Sequence, residues 1–154
     1  MKTYTTMDKS LFKHGPWNGE PDKAQWIDEK TNLDCLIVCN RMGALCGYVG
    51  VPKHHQYFGK DYDEVRDVFA HGGLSFSGEC REAEDERKGI CHSEECAANK
   101  KVWWFGFDCA HAGDLVPSFG DDFEGAEYRC FSYVKIEVEY LARQLLEVSE
   151  CNAQ

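Results

Sequence analysis

The chain lacks any apolar run long enough to span a bilayer, which takes about 20 consecutive, mostly apolar residues, so no transmembrane helix is expected. It also lacks clustered lysine and arginine. Lys and Arg number 17 against 27 Asp and Glu, a formal net charge of −10. Phosphate contacts need grouped cations, so direct nucleic-acid binding is not expected. The opening residues MKTYTTMDKSLFKHG have no apolar core of a secretory signal. No internal repeat and no linker-like stretch interrupts the chain, and residues 1–154 read as a single domain.

What the chain does have is enough apolar material for a core. The apolar fraction is 43% and the aromatic fraction 13% over 154 residues, which suits one folded domain without disulfides or metal. There are nine cysteines, an odd number. With no signal peptide they are expected to be reduced thiols in the cytoplasm. An acidic soluble chain suits an enzyme, a metal binder or a protein that docks on a basic partner.

Periodicity predicts a meander packed by one helix. Residues 1–15 read as an irregular arm and Gly15 to Pro21 as turns. Strands are expected at Ala24–Asp28, Leu33–Cys39 and Leu45–Val51, where Gly47 and Gly50 leave room for another backbone or a ligand. Tyr62, Val65 and Phe69 fall at helical spacing, so a short helix fits over 61–69, with a strand entering Ala70 as the alternative. Leu74 and Phe76 mark a further strand, and the polar run 79–101 reads as an exposed excursion. Val102-Trp103-Trp104-Phe105 opens a central strand that ends at Asp108. Val134, Val138, Leu141, Leu145 and Val148 line one face of a C-terminal helix, with Ser132 as its N-cap and Glu139–Arg143 as a surface pair. The expected fold is α+β: a mostly antiparallel sheet of about five strands packed by the C-terminal helix, in two layers.

The chemistry concentrates in AHGGLSFSG (residues 70–78) and VWWFGFDCAHAGD (residues 102–114). His71, Asp108, His111 and Asp114 combine two imidazoles with two carboxylates, a donor set that suits Zn, Mn or Fe. His71, Asp108 and His111 are the expected catalytic residues, and Gly72, Gly73, Trp104 and Asp114 the expected ligand contacts. His71 and Asp108 also fit a metal-free base and its orienter. In the purely structural reading of these residues, the carboxylates cap turns and the histidines satisfy buried carbonyls. Cys109, between Asp108 and His111, is a candidate nucleophile, although an adjacent carboxylate opposes thiolate formation and a buried thiol packs well as a small apolar group. Cys80, Cys91, His92 and Cys96 form a candidate structural zinc site, without a tight CxxC knuckle.

The phrases GPWNGEPDKAQWIDEKTNLDCLIV, LCGYVGVPKHHQYFGKDYDEV, HGGLSFSG, WWFGFDCAHAGD and YRCFSYVKIEVEYLARQL together resemble a family of small proteins spread through phage, prophage and bacterial genomes. His71, Gly72, Gly73, Asp108, Cys109, His111, Gly113 and Asp114 stand where that pattern has them. His54-His55 departs from it, where family members often carry Gly-His. The resemblance implies a phage or bacterial cytosolic setting and brings no activity with it. The expectation is an accessory protein that binds or hydrolyses a small polar, nucleotide-like molecule at a His/Asp site, whose residues either hold a divalent metal such as Zn or Mn or activate water without one. The competing expectation is a non-enzymatic acidic inhibitor that blocks a host defence component or sequesters its nucleotide signal.

Overall fold

The structure is a computed structural model describing residues 1–81, 86–92, 101–120 and 124–151. Six strands form one open sheet: β1 (Lys2–Tyr4), β2 (Lys23–Ile27), β3 (Asp34–Cys39), β4 (Leu45–Pro52), β5 (Phe76–Gly78) and β6 (Val102–Asp108). Their order is β1-β2-β3-β4-β6-β5, and every neighbouring pair is antiparallel. Helix α1 (Phe131–Cys151) lies across one face, mainly over β4 and β3. This is the expected two-layer α+β arrangement, with one strand more. The extra strand is β1, inside the stretch read as irregular. It is only three residues long, and its Lys2 and Thr3 side chains are exposed, so no apolar alternation marks it. Asp22 ties the following arm down. Its carboxylate accepts from the Thr6 and Met7 amides at 2.5 and 2.6 Å and pairs at 2.8 Å with the buried Lys9 ammonium.

The helix stripe packs as its spacing requires. Val134, Val138, Leu141 and Leu145 are fully buried, against a core that includes Ile37, Val49, Phe105 and Phe107. Ser132 is not the cap: it lies within the helix and is exposed. The Phe131 amide donates instead to Glu20 Oε1 at 2.8 Å, so a residue distant in sequence satisfies this orphan N–H. Glu139 pairs with Lys135 rather than Arg143, which stacks over Tyr140. Over 61–69 only a single 3-10 turn forms, Tyr62–Glu64. The Glu64 carboxylate accepts from the Asp61 amide, and Val65 then turns to extended backbone, leaving Phe69 exposed. Gly47 and Gly50 admit no ligand. A Cβ on Gly47 would lie 2.5 Å from Phe107 and Val138, and one on Gly50 2.3 Å from Val102.

The second face of the sheet is also covered. Leu36, Val38, Tyr48, Val102 and Trp104 form a separate apolar cluster, closed by Phe76, Cys80 and Ile90. Part of the expected excursion is thus a strap across the sheet, with Cys91 and His92 buried. Arg81 and Ile90 exchange two backbone hydrogen bonds, which sets Cys80 opposite Cys91 with Cα atoms 4.9 Å apart and a disulfide between them. Lys23, wholly buried on β2, donates to the Gly89 and Cys91 carbonyls at 2.9 and 2.6 Å. The expected set of reduced thiols is corrected here: Cys80 and Cys91 are joined. No helix among the described residues is long and apolar enough to cross a membrane.

Candidate functional site

Two turns and the start of α1 build the site. Asp108 is the last residue of β6, opposite Cys46 on β4. Past it the chain folds back: the Cys109 amide donates to the Leu45 carbonyl, and the Ala110 amide to Asp108 Oδ1 at 3.1 Å. Ser75 Oγ holds the other Asp108 oxygen at 2.9 Å. A second turn follows over His111–Asp114, with Gly113 in the left-handed region at φ +92°. Asp114 Oδ2 accepts from the His111 amide at 3.0 Å, and a bridge to Glu127 fixes this segment against the approach to α1.

His71 arrives from the other side, on the turn Ala70–Gly73 that leads into β5. Gly72 and Gly73 both have positive φ, +67° and +89°. Gly72 is needed for a second reason, because a Cβ there would sit 2.3 Å from the His111 ring. The two imidazoles therefore meet, with centroids 5.8 Å apart.

Asp114 is the hub. Its side chain is 1% exposed, and it accepts from His71 Nε2 at 2.8 Å and from Arg129 Nε at 2.8 Å, besides the His111 amide. Burial alone would raise the pKa of this carboxyl, but the hydrogen bonds from His71, Arg129 and His111 outweigh it and hold the pKa below the ordinary value. The same contact with Asp114 pushes the Arg129 pKa up. Arg129 also pairs with Glu127 at 2.8 Å and lies over the Tyr133 ring. Tyr133 Oη in turn meets His71 Nδ1 at 2.9 Å, so both nitrogens of His71 are engaged. His111 differs. Its Nδ1 is buried with no hydrogen-bond partner, 3.8 Å from both Asp108 Oδ1 and Asp114 Oδ2. One donor atom each from His71, His111 and Asp114 lies within 4.8 Å of the other two.

The structure thus brings His71, His111 and Asp114 together. Asp108 stands at the rim beside His111, about a third exposed. Gly72 is packed under His111, whereas Gly73 is open. Trp104 is not a ligand contact: it is 1% exposed, within the apolar cluster of the second face, with its ring against His92. Cys109 is no nucleophile in this fold. It is 2% exposed, and burial, then the charge of Asp114, pushes its pKa far above the ordinary thiol range. The zinc reading at Cys80, Cys91, His92 and Cys96 fails on its described members. The two cysteines bond to each other, and His92 Nε2 is hydrogen-bonded to the Cys35 carbonyl at 2.9 Å, with Nδ1 3.5 Å from Asp34; Cys96 lies outside the described residues. Arg129 and Tyr133 are the members that sequence reasoning missed. Tyr133 sits beside the apolar stripe of α1 and reads as core, and no local motif ties either residue to position 71 or 114.

Comparison of the chain with protein-family models, with curated proteins and with solved structures finds no match.

Proposed function

We propose that His71, His111 and Asp114 hold a divalent cation such as Zn or Mn, and that the protein binds or hydrolyses a small polar, nucleotide-like molecule there. The observation that carries this reading is the His111 Nδ1 atom, buried without a partner beside two carboxylate oxygens. A buried polar nitrogen left unsatisfied is costly and calls for an explanation. The donor set is one that Zn and Mn accept, with bonds of about 2.0–2.2 Å for zinc. Arg129 occupies Asp114 Oδ1 and leaves Oδ2 turned toward the histidines. Tyr133 Oη meets His71 Nδ1; with the proton on Nδ1 and donated to Tyr133, Nε2 would exchange its hydrogen bond to Asp114 for the cation, the outer-shell support that metal-bound imidazoles usually have.

When bound, such a cation polarises a substrate oxygen and lowers the pKa of a coordinated water. Asp108 lies beside His111 with its oxygens accepting from Ser75 and Ala110, and in this reading it accepts a proton from water or substrate. The phage or bacterial cytosolic setting belongs to this proposal and rests on the motif resemblance. A non-catalytic reading, in which an acidic protein sequesters the same molecule or blocks a basic host protein, is supported by the net charge of −10.

Calorimetric titration of the purified protein with Mn2+ tests the metal. One site per chain is expected, weakened on the order of tenfold or more in His111→Ala. Equal binding by wild type and variant refutes the reading. Mass spectrometry of co-purified small molecules, before and after incubation with metal, separates hydrolysis from sequestration.

A further inference from the structure

The disulfide that closes the strap over the second face has two unlike ends. Cys80 is half-buried, whereas Cys91 is 6% exposed, so the bond is more open on the Cys80 side. On the closed side stands a charge. Lys23, at 0% exposure, donates to the Cys91 and Gly89 carbonyls at 2.6 and 2.9 Å, which sets its ammonium close to Cys91. A neighbouring cation favours the thiolate. Cys91 is therefore the better leaving group when the bond is attacked, and Cys80 the sulfur that an attacking thiol reaches.

The strap adds little apolar surface of its own. Among the described residues, Cys80 and Ile90 are the strap side chains packed on the apolar cluster, and both are only partly buried, while Arg81, Arg87 and Lys88 are exposed. Its hydrogen bonds run largely to main-chain carbonyls: the Arg81–Ile90 exchange, the two from Lys23, and His92 Nε2 at the Cys35 carbonyl. Each is worth little net of the water bonds it replaces. Beneath the strap, Trp104 Nε1 is buried without a partner, and an indole N–H can only donate. Detachment would give water to this donor and to the Lys23 ammonium. The disulfide links residues 11 apart in sequence, and opening it restores chain freedom to the segment between them. The rest of the domain is built independently: β3, β4 and β6 pair with one another, and the larger core, with Ile37, Phe105 and Leu141, lies on the opposite face under α1.

We propose that the Cys80–Cys91 disulfide is a redox latch: its reduction by a dithiol releases the strap and bares Leu36, Tyr48 and Trp104, while the sheet and α1 stay folded. One thiolate of the reductant attacks Cys80 Sγ, the Cys80–Cys91 bond breaks, and Cys91 leaves as a thiolate that takes up the proton the reductant gave up. The second thiolate of the reductant then attacks the reductant's own sulfur in the mixed disulfide and closes a cyclic disulfide, and Cys80 leaves and takes the second proton. Two electrons pass from the dithiol to the protein. The latch is separate from the histidine cluster and does not rest on the function proposed for it.

Hydrogen exchange followed by NMR in the intact chain, before and after dithiothreitol, tests this. The Arg81 and Ile90 amides and the Trp104 indole N–H are expected to exchange roughly tenfold or more faster in the reduced protein, with the amides of Ile37 and Leu141 unchanged. Reoxidation should restore the slow rates. The Cys80→Ser, Cys91→Ser double variant should match the reduced protein and ignore the reductant. Unchanged exchange at Arg81 and Ile90 on reduction overturns the inference, as does exchange that rises equally through the sheet and α1. So does a double variant that still responds to dithiothreitol, or alkylation that finds both thiols free in the air-oxidised protein.

Discussion

Replacing Gly72 with alanine tests whether the packing of His111 is what shapes the site. The backbone there is left-handed, which costs a residue with a Cβ roughly 1–2 kcal/mol. The new Cβ would also fall 2.3 Å from His111 Cε1 and 2.4 Å from Nδ1. Carbon atoms settle at about 3.5–4.0 Å, so the ring must retreat by more than about 1 Å. Metal ligands tolerate only about 0.2 Å of displacement, and supporting-residue changes typically cost 10–100-fold in metal affinity, so binding should fall by at least about tenfold, or ~1.4 kcal/mol. Gly73→Ala is the matched control. It too has positive φ, but a Cβ there meets nothing within 4 Å. Gly72→Ala should lose at least as much stability in urea unfolding as Gly73→Ala, while only Gly72→Ala loses Mn2+ affinity in calorimetry. Equal affinities in the two variants would refute the reasoning.

Two further outcomes concern the scaffold. Leu141→Ala, at a fully buried position, should cost about 2–5 kcal/mol in urea unfolding, against within about 0.5 kcal/mol for the exposed Ile136→Ala; similar midpoints would mean that α1 does not pack as described. His55 is buried, accepting from the Tyr57 amide at Nδ1 and donating from Nε2 to the Leu145 carbonyl, and burial lowers its pKa. A lowered folded-state pKa favours the neutral ring, so its contribution is present above the unfolded value of about 6.5 and is lost as pH falls through the folded value. Unfolding free energies between about pH 5 and 8 should therefore fall more steeply on acidification for wild type than for His55→Gln, and parallel profiles would remove His55 from the account.

The C-terminal helix was legible because Val134, Val138, Leu141 and Leu145 repeat at the period of a helix and all four are fully buried. The central strands were legible as apolar runs. The continuous burial of Asp34–Cys39 also carries information that the expected exposed excursion overlooked, since a strand apolar on both faces implies cover on both. β1 was hidden because main-chain pairing with β2 holds it rather than buried side chains. At the site, His71 and the His111–Asp114 turn were legible as chemistry in sequence. Their supporting shell was not, because Arg129 and Tyr133 reach Asp114 and His71 through the entry angle of α1 and not through any local spacing.

The most direct measurement of the central claim is the 15N NMR signature of the imidazole nitrogens during a Zn2+ titration. His111 Nδ1 and His71 Nε2 should move together to metal-bound shifts at one equivalent, while the nitrogens of the buried His55 and His92 stay where they are. If the first equivalent instead moves other histidines, or moves His111 without His71, there is no metal centre at His71, His111 and Asp114.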